Sequence, residues 1–317
     1  MKPPYEISAK ILALVNSISV SLGEIKGIQL VRPPLELRKY NRIKSVWSSC
    51  GIEGNTLTLD QVTAILSGRP VIGPKKDITE VVNAINAYDG LPGYDAFSAG
   101  SFLKAHGLLM QGLMEKPGRY RSAQVGVFDG TQVIHLAPPA IRVPELMSDL
   151  FNYLKQDPDI ILIKSCVFHY EAEFIHPFMD GNGRIGRLWQ TAILMREYPV
   201  FEFLPFENLI QQRQQEYYQV LAACGKAGQS TLFIEFMLDI LDKSLEEMLD
   251  FNGRVVSDSA RLEYFTATSR NQFTRKDYMD VFKTISSATA SRDLRKGVEA
   301  KLFEREGDKN KTVYRKV

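Results

Sequence analysis

The chain has 317 residues, 44% of them hydrophobic, with 39 Lys+Arg against 37 Asp+Glu and a formal net charge of +2. That balance excludes a disordered chain and leaves apolar material for one large core plus a smaller module. The longest apolar runs, such as Ile160-Ile161-Leu162-Ile163, fall far short of the ~20 residues a membrane span needs, and Met1-Lys2-Pro3-Pro4-Tyr5-Glu6 starts no secretory leader, so a cytoplasmic location is expected. Cys50, Cys166 and Cys224 are scattered without CxxC spacing, which predicts three buried or half-buried free thiols in place of disulfides or a zinc site.

Apolar residues recur every three or four positions from Ile7 through Ile11, Leu12, Leu14, Val15 and Ile18, and most of the first 250 residues follow the same rhythm, so the body is expected to be mainly α. Turn residues at Ser67-Gly68-Arg69-Pro70 and Gly90-Leu91-Pro92-Gly93 bracket a helix around Ile78 to Tyr88. A second helix is predicted from Ala99 to Met114, stopped by Pro117-Gly118. The one clear interruption is Gln124 to Leu136, two short β-type runs around Asp129-Gly130 that read as a hairpin leaning on helices. After Pro138-Pro139, helices are predicted over Val143 to Gln156, Ile160 to Phe174, Arg184 to Tyr198, Leu209 to Cys224 and Ser230 to Asn252.

From about Gly253 the pattern changes. Thr274-Arg275-Lys276-Asp277-Tyr278 opens a short helix, Ser286 to Arg295 opens another, and Leu302 to Val317 alternates around Gly307-Asp308. Helix, helix, β-hairpin is a winged-helix plan. Residues 271–317 hold 12 Lys+Arg against 7 Asp+Glu, so the basic excess sits in this tail while the rest of the chain is slightly acidic. The expected division is an N-terminal helical region over 1–95, a core over 96–252 and a winged-helix module over 253–317.

The densest chemistry is His176-Pro177-Phe178-Met179-Asp180-Gly181-Asn182-Gly183-Arg184-Ile185-Gly186-Arg187. Gly181, Gly183 and Gly186 match a GxGxxG, but Pro177 and the polar residues before them occupy the place of the buried strand a dinucleotide fold requires. An EF-hand beginning at Asp180 fails because Arg184, Ile185 and Thr191 stand where it needs Asp/Asn, Gly and Glu. A kinase glycine loop would need a downstream Val-Ala-Ile-Lys strand, and Thr191-Ala192-Ile193-Leu194 is not one. What remains is a tight loop feeding a helix that starts near Gly183 or Arg184. Its glycines let backbone N–H groups converge on an anion at the positive end of the helix dipole. Asn182 can donate to a phosphate oxygen, Arg184 and Arg187 lie three apart on one helical face and can fork phosphate oxygens, Asp180 can hold Mg²⁺, and His176 is a base of suitable pKa. Singly, each residue is better read as part of a turn or a solvated face; jointly they point to polyphosphate chemistry.

At these residues the sequence resembles the Fic (filamentation induced by cAMP) family, whose motif HPFx(D/E)GN(G/K)RxxR is matched at every fixed position from His176 to Arg187. The resemblance extends to Gly118-Arg119-Tyr120-Arg121 and Pro138-Pro139 around the hairpin and to Tyr217-Tyr218, and it covers most of residues 1–250. It implies a Fic-type helical bundle with a β-hairpin flap, and transfer of AMP from ATP to a Ser, Thr or Tyr hydroxyl of a target protein, or of the protein itself. In that reading His176 takes the hydroxyl proton, Asp180 holds Mg²⁺, Gly181, Asn182, Gly183 and Arg184 hold α- and β-phosphates, and Arg187 clasps the γ-phosphate. The flap residues Val133, Ile134, His135 and Leu136 would pair with the target's backbone. Only one of two successive tyrosines can face a cleft, and Tyr218 is favoured for the adenine base. The family's asparagine about two turns beyond is Gly225 here, so that contact is not carried over.

Ser48-Ser49-Cys50-Gly51-Ile52-Glu53-Gly54-Asn55 resembles the family's inhibitory signature (S/T)xxxE(G/N) at Ser49, Glu53 and Gly54. Ser49 and Glu53 lie one helical turn apart, and Gly54 suits a helix end. The resemblance implies that Glu53 pairs with Arg187 and restrains transfer, and some relatives use the same glutamate to remove AMP. His106, His135 and His169 lack metal-ligand spacing and read as structural, apart from the flap position of His135. A rival reading is a DNA-binding regulator with a nucleotide-sensing body, in which Ser287, Thr289, Ser291, Arg292 and Arg295 of a recognition helix over Ser287 to Lys296 meet the groove or phosphates. A homodimer is a further expectation.

Overall fold

The computed structural model describes residues 2–27, 35–129, 132–255, 258–282, 285–307 and 312–316. The chain forms two compact units, one of Met1–Arg32 with Asn41–Leu245 and one of Pro33–Tyr40 with Glu246–Val317.

The first unit is mainly helical, as the apolar rhythm predicts. Its helices are α1 (Ala9–Gly27), the end of α2 (Leu35–Ile52), α3 (Leu59–Leu66), α4 (Lys75–Asp89), α5 (Ala99–Leu109), α6 (Val143–Gln156), α7 (Ile161–Ile175), α8 (Asn182–Leu194), α9 (Phe206–Gln212), α10 (Gln214–Ala227) and most of α11 (Thr231–Val255). The hairpin is β1 (Gly126–Asp129) with β2 (Gln132–Leu136), antiparallel, its register broken between Val127 and Phe128. Gly130 at its turn and the side chains of Val133, Ile134, His135 and Leu136 lie outside the described residues.

Helix α7 is buried at every position from Ile161 to Tyr170, which is why its apolar residues run around the whole cylinder. It packs closely on α8: a Cβ at Gly186 would lie 3.0 Å from His169 Cδ2 and 3.2 Å from Glu173 Oε1. Around this pair, Phe102 of α5 meets Phe151, Phe168 and Trp189 edge-on at centroid distances of 5.7, 5.7 and 5.1 Å. Each such pair adds about 0.5–1.5 kcal/mol beyond area burial.

Boundaries differ from the sequence expectation where one residue or a tertiary contact decides them. The helix predicted to Met114 ends at Leu109, and Gly112 turns the chain with φ +72°. The single helix predicted over Leu209 to Cys224 is two, broken at Arg213 (φ −113°, ψ 31°), whose guanidinium is held by Glu216 at 2.8 Å and by Asp239. Helix α8 starts at Asn182 and stops at Leu194, short of Tyr198. Cys50, Cys166 and Cys224 are buried free thiols.

The second unit contains α12 (Asp258–Thr268), β3 (Gln272–Phe273), α13 (Arg275–Val281), α14 (Ser287–Glu299), β4 (Phe303–Glu306) and β5 (Val313–Lys316). Its three strands form an antiparallel sheet in the order β3-β5-β4, a winged-helix topology with one helix and one short strand more than the sequence pattern predicts. Phe265, Phe273, Tyr278, Leu294 and Phe303 form its core. Among the described residues, no helix is long and apolar enough to cross a membrane.

Candidate active site

Helix α7 ends in His176, which takes a left-handed conformation (φ 52°, ψ 59°) at the helix C-cap. Such a backbone costs about 1–2 kcal/mol in a non-glycine residue and needs external support. Arg121 supplies it. Its Nε donates to His176 O at 2.7 Å, its Nη2 to Ile175 O at 3.2 Å and Pro138 O at 2.5 Å, and its Nη1 to Ala123 O at 3.0 Å. The His176 turn is thereby tied to the residues on either side of the hairpin. Burial pulls the Arg121 pKa below its ordinary value.

The loop after His176 closes on its own polar groups. Asn182 accepts from Phe178 N–H at 2.9 Å and donates back to Phe178 O at 2.9 Å, so the amide predicted to face a phosphate clamps the backbone here. Phe178 stacks on His106 at 3.5 Å with 5° between the rings. Because His106 Nδ1 accepts from Gly118 N–H at 2.9 Å, its proton sits on Nε2, which donates to Asp180 O at 2.9 Å. Burial pushes the His106 pKa down to about 4, which keeps the ring neutral. Gly181 has φ +82°, and a Cβ there would lie 2.6 Å from Met110 Sδ, so only glycine fits.

Gly181 is the N-cap of α8, and no side chain caps that helix end. A carboxylate lies beside it. A Cβ on Gly183 would fall 2.4 Å from Glu53 Oε1, which places the Glu53 carboxylate directly on the first turn of α8. The same Oε1 accepts from Arg187 Nη2 at 2.7 Å. Arg187 is fully buried, and it also donates from Nε to Ser49 Oγ at 3.1 Å and from Nη2 to Ser49 O at 2.9 Å. Burial works against its charge, yet Glu53, Tyr217 and Glu173 around it hold its pKa above the ordinary arginine value. Ser49 and Glu53 are set one turn apart by α2, which unwinds at Gly54 (φ +87°) as the sequence spacing predicts.

Arg184 goes elsewhere. Although three residues from Arg187, it is 5% exposed and turned to Glu80 of α4, which it meets through Nη1, and to Asp180 Oδ1, which it meets through Nη2 at 2.9 Å. Glu80 carries no motif that would single it out in the sequence. Asp180 Oδ1 also accepts from Gly181 N–H at 2.6 Å, and the side chain is 55% exposed. Among the described residues no group of three or more His, Cys, Asp or Glu could hold a metal ion. A single exposed carboxylate fits Mg²⁺ in the pattern where substrate phosphates and water supply the other oxygens.

His176, Asp180, Gly181, Asn182, Gly183, Arg187 and Glu53 line one cavity of about 890 Å³. Its far wall is α10, and Tyr170 and Phe174 of α7, stacked at 6.2 Å and 25°, form another apolar side. Both tyrosines of α10 reach the cavity, but differently: Tyr217 is 1% exposed with its hydroxyl 3.0 Å from His169 Nε2, while Tyr218 is 45% exposed. His169 is completed by Gln190 Oε1 at 2.7 Å, and burial lowers its pKa to about 3, a structural histidine as predicted from its spacing. Glu173, unmarked in the sequence, also lines the cavity, and burial raises its carboxyl to about 7 against the pull of Arg187.

A profile of the Fic/DOC family matches residues 96–194, which contain the His176 loop and α8. The crystal structure of a Fic family protein from Desulfovibrio desulfuricans G20 is 40% identical, with a TM-score of 0.76, and the match covers 100% of this chain and 98% of that one. The chain belongs to the Fic family. Among curated relatives, Protein adenylyltransferase Fic of Nematostella vectensis is 31% identical over 220 residues, and that of Drosophila melanogaster 27% over 223. These matches cover 64% and 66% of the present chain and 48% and 42% of the relatives, so this Fic protein spans under half their length. Fic-1 from C. elegans shares the fold, with a TM-score of 0.64 at 23% identity.

Proposed function

We propose that this Fic-family protein is a protein adenylyltransferase that moves AMP from ATP to a hydroxyl of a target protein and is restrained by Glu53. The observation that carries the reading is the Glu53 carboxylate set against the first turn of α8 at Gly183, where no side chain caps the helix, and paired with Arg187 at 2.7 Å. A carboxylate there marks a built anion site and stands where a phosphate of ATP would sit.

His176 Nδ1 lies 3.4 Å from Glu173 O, so the tautomer that donates there leaves Nε2 as the acceptor for the target's hydroxyl proton. The hydroxyl oxygen then attacks the α-phosphorus, the bond to the bridging oxygen breaks and pyrophosphate leaves. The backbone N–H groups of the first α8 turn and Arg187 hold the phosphate oxygens, and positioning and charge stabilisation supply most of the rate. Asp180 would hold Mg²⁺, whose part is to offset charge on the phosphates. Tyr218, with Tyr170 and Phe174 opposite, forms the apolar part of the cavity suited to a base. Glu53 also lies where a glutamate could orient water for removal of AMP from a modified protein.

The test is label transfer from α-labelled ATP to the protein itself and to lysate proteins. Glu53→Gly is expected to label strongly, wild type weakly, and Glu53→Gly/His176→Ala not at all. Equal labelling by wild type and Glu53→Gly rejects the restraint, and labelling that survives His176→Ala rejects the mechanism.

A second reading concerns the winged-helix unit, whose α14 exposes Ser287, Arg292 and Arg295 while its one early acid, Asp293, is buried against Arg261 at 2.7 Å. Arg292 carries positive charge without a competing exposed acid in the first two turns, the arrangement that suits duplex DNA, while Arg295 further along lies 3.7 Å from the exposed Glu299. Binding that weakens steeply with salt, and whose salt slope drops in Arg292→Ala/Arg295→Ala, supports it. A salt-independent or absent signal removes it.

A further inference from the structure

Arg184 is a buried cation with two anions of unequal surroundings. Glu80 is 8% exposed at its side chain and Asp180 is 55% exposed. The drier pair is the stronger, because water screens the exposed one. Glu80 is therefore the main counterion of Arg184, and Asp180 is held by the weaker share. The Arg184 Nε, buried without a hydrogen-bond partner, shows that this guanidinium has no spare anion to turn to.

Glu80 has a second attachment. Its Oε2 accepts from Asn55 Nδ2 at 2.7 Å, and Asn55 follows Glu53 and Gly54 in the turn that leaves α2. Asn55 Nδ2 also donates to Asp77 O at 3.1 Å, and Thr56 N–H to Asp77 Oδ2 at 2.9 Å, so this turn is fastened to the start of α4. One buried carboxylate thus joins the turn below Glu53 to the arginine that contacts Asp180.

We infer that Glu80 is a positioning residue for the transfer reaction: by holding Arg184 it leaves the Asp180 carboxylate available to a divalent cation, and through Asn55 it links that availability to the seat of Glu53. This inference rests on the adenylyltransferase reading. With Glu80 in place, Asp180 can turn to a cation without stranding a buried charge. Without the Glu80 charge, Asp180 is the remaining anion for Arg184, and cation binding must leave a buried guanidinium unpaired. The link to Asn55 gives the coupling its sign. When the turn carrying Glu53 withdraws, Oε2 loses its amide donor, the carboxylate draws Arg184 harder and Asp180 is loosened. Release of Glu53 and capture of the cation favour each other, and by reciprocity cation with nucleotide loosens Glu53.

The test uses full-length protein carrying Glu53→Gly, and reads Mn²⁺ binding directly from the electron paramagnetic resonance signal of the free ion in the presence of a non-hydrolysable ATP analogue. Adding Glu80→Gln is expected to weaken Mn²⁺ binding about tenfold, the scale of one charge-assisted hydrogen bond. Adding Arg184→Met to that variant removes the competing cation and is expected to restore the parent affinity. Asn55→Ala, which keeps both members of the Glu80–Arg184 pair and removes only the amide donor to Glu80 Oε2, is expected to tighten Mn²⁺ roughly threefold. Unchanged Mn²⁺ affinity in Glu80→Gln, or no recovery in the double variant, overturns the inference and reduces Glu80 to a structural strut. If Glu80→Gln does not fold, Asn55→Ala decides, since unchanged or weaker binding there overturns the coupling. Label transfer measured on the same samples separates the two readings: the Mn²⁺ pattern without AMP transfer rejects the adenylyltransferase alone.

Discussion

Helices α8 and α14 begin alike in sequence and end up doing different work. Each follows a polar turn, and each carries two arginines three residues apart, Arg184 and Arg187 in one and Arg292 and Arg295 in the other. At α14 the N-cap Ser286 accepts from Thr289 N–H at 3.1 Å, so the helix end is satisfied from within and its arginines lie in solvent. At α8 the N-cap is Gly181, no side chain caps the end, and both arginines are buried against acids from elsewhere in the chain, Glu80 of α4 and Glu53 of the turn after α2. Arginine spacing alone therefore says little. An end left uncapped at a left-handed glycine, with a foreign carboxylate set against its first turn, is what distinguishes an anion site from a helix start.

The largest effects should come from exchanging the anion at α8. Glu53→Gly vacates the site and is expected to raise AMP labelling at least about tenfold, as a buried charge-assisted contact is lost from the restrained state. Arg187→Ala in the Glu53→Gly protein removes the cation both anions need, and a fall of about 10²–10³ in labelling is expected. If Glu53→Gly/Arg187→Ala keeps the activity of Glu53→Gly, the site at α8 does not hold phosphate and the contrast with α14 collapses.

Gly183→Ala sharpens the contrast in another way. Its Cβ would sit 2.4 Å from Glu53 Oε1 and 2.9 Å from Arg187 Nη1, so it evicts the carboxylate while filling the space a phosphate needs. Labelling should therefore stay at or below the wild-type level, unlike that of Glu53→Gly. At α14 the matching change is Ser286→Ala, which removes a cap and should cost about 1 kcal/mol in the stability of the second unit. Chemical denaturation followed together with label transfer checks this, because the loss should leave AMP transfer unaltered.

The uneven legibility of the sequence has the same cause. The stretch His176 to Arg187 and the Ser49–Glu53 turn are local, with residue types that the proposed chemistry requires at fixed spacing, and their geometry follows from one loop and one helical turn. Glu80 and Arg121 work across 104 and 55 residues of chain respectively, and Arg121 spends its donors on backbone carbonyls that no residue type marks. Asn182 shows a subtler limit, since an amide that can donate to phosphate can equally clamp Phe178, and only the path of the loop decides. The helical body and the winged-helix order were readable from periodicity. The break at Arg213 was not, because an ion pair with Asp239 of α11 fixes it and leaves the apolar spacing intact.

The smallest predicted effect tests the buried acids at each helix. Asp293, within α14 itself, forms an ion pair with Arg261 of α12 at 2.7 and 3.0 Å. Glu173 against α8 has an Oε1 buried without a hydrogen-bond partner, and burial raises its carboxyl from 4.5 to about 7, with Glu171 moved equally far by the same cause. For these glutamates the folded state keeps protons that the unfolded chain releases, so stability falls as pH rises from about 4.5 and the loss is complete once pH passes about 7. His106 and His169, lowered to about 4 and about 3 from 6.5, run the other way and lose stability as pH falls below 6.5. Glu173→Gln replaces the raised carboxyl with a neutral amide of the same shape. It should raise the melting temperature at pH 8 and much less at pH 5, because only at the higher pH does the wild-type carboxyl carry the buried charge. An equal loss at both pH values would mean that Glu173 is ionised throughout and already serves, beside Glu53, as a second counterion of Arg187.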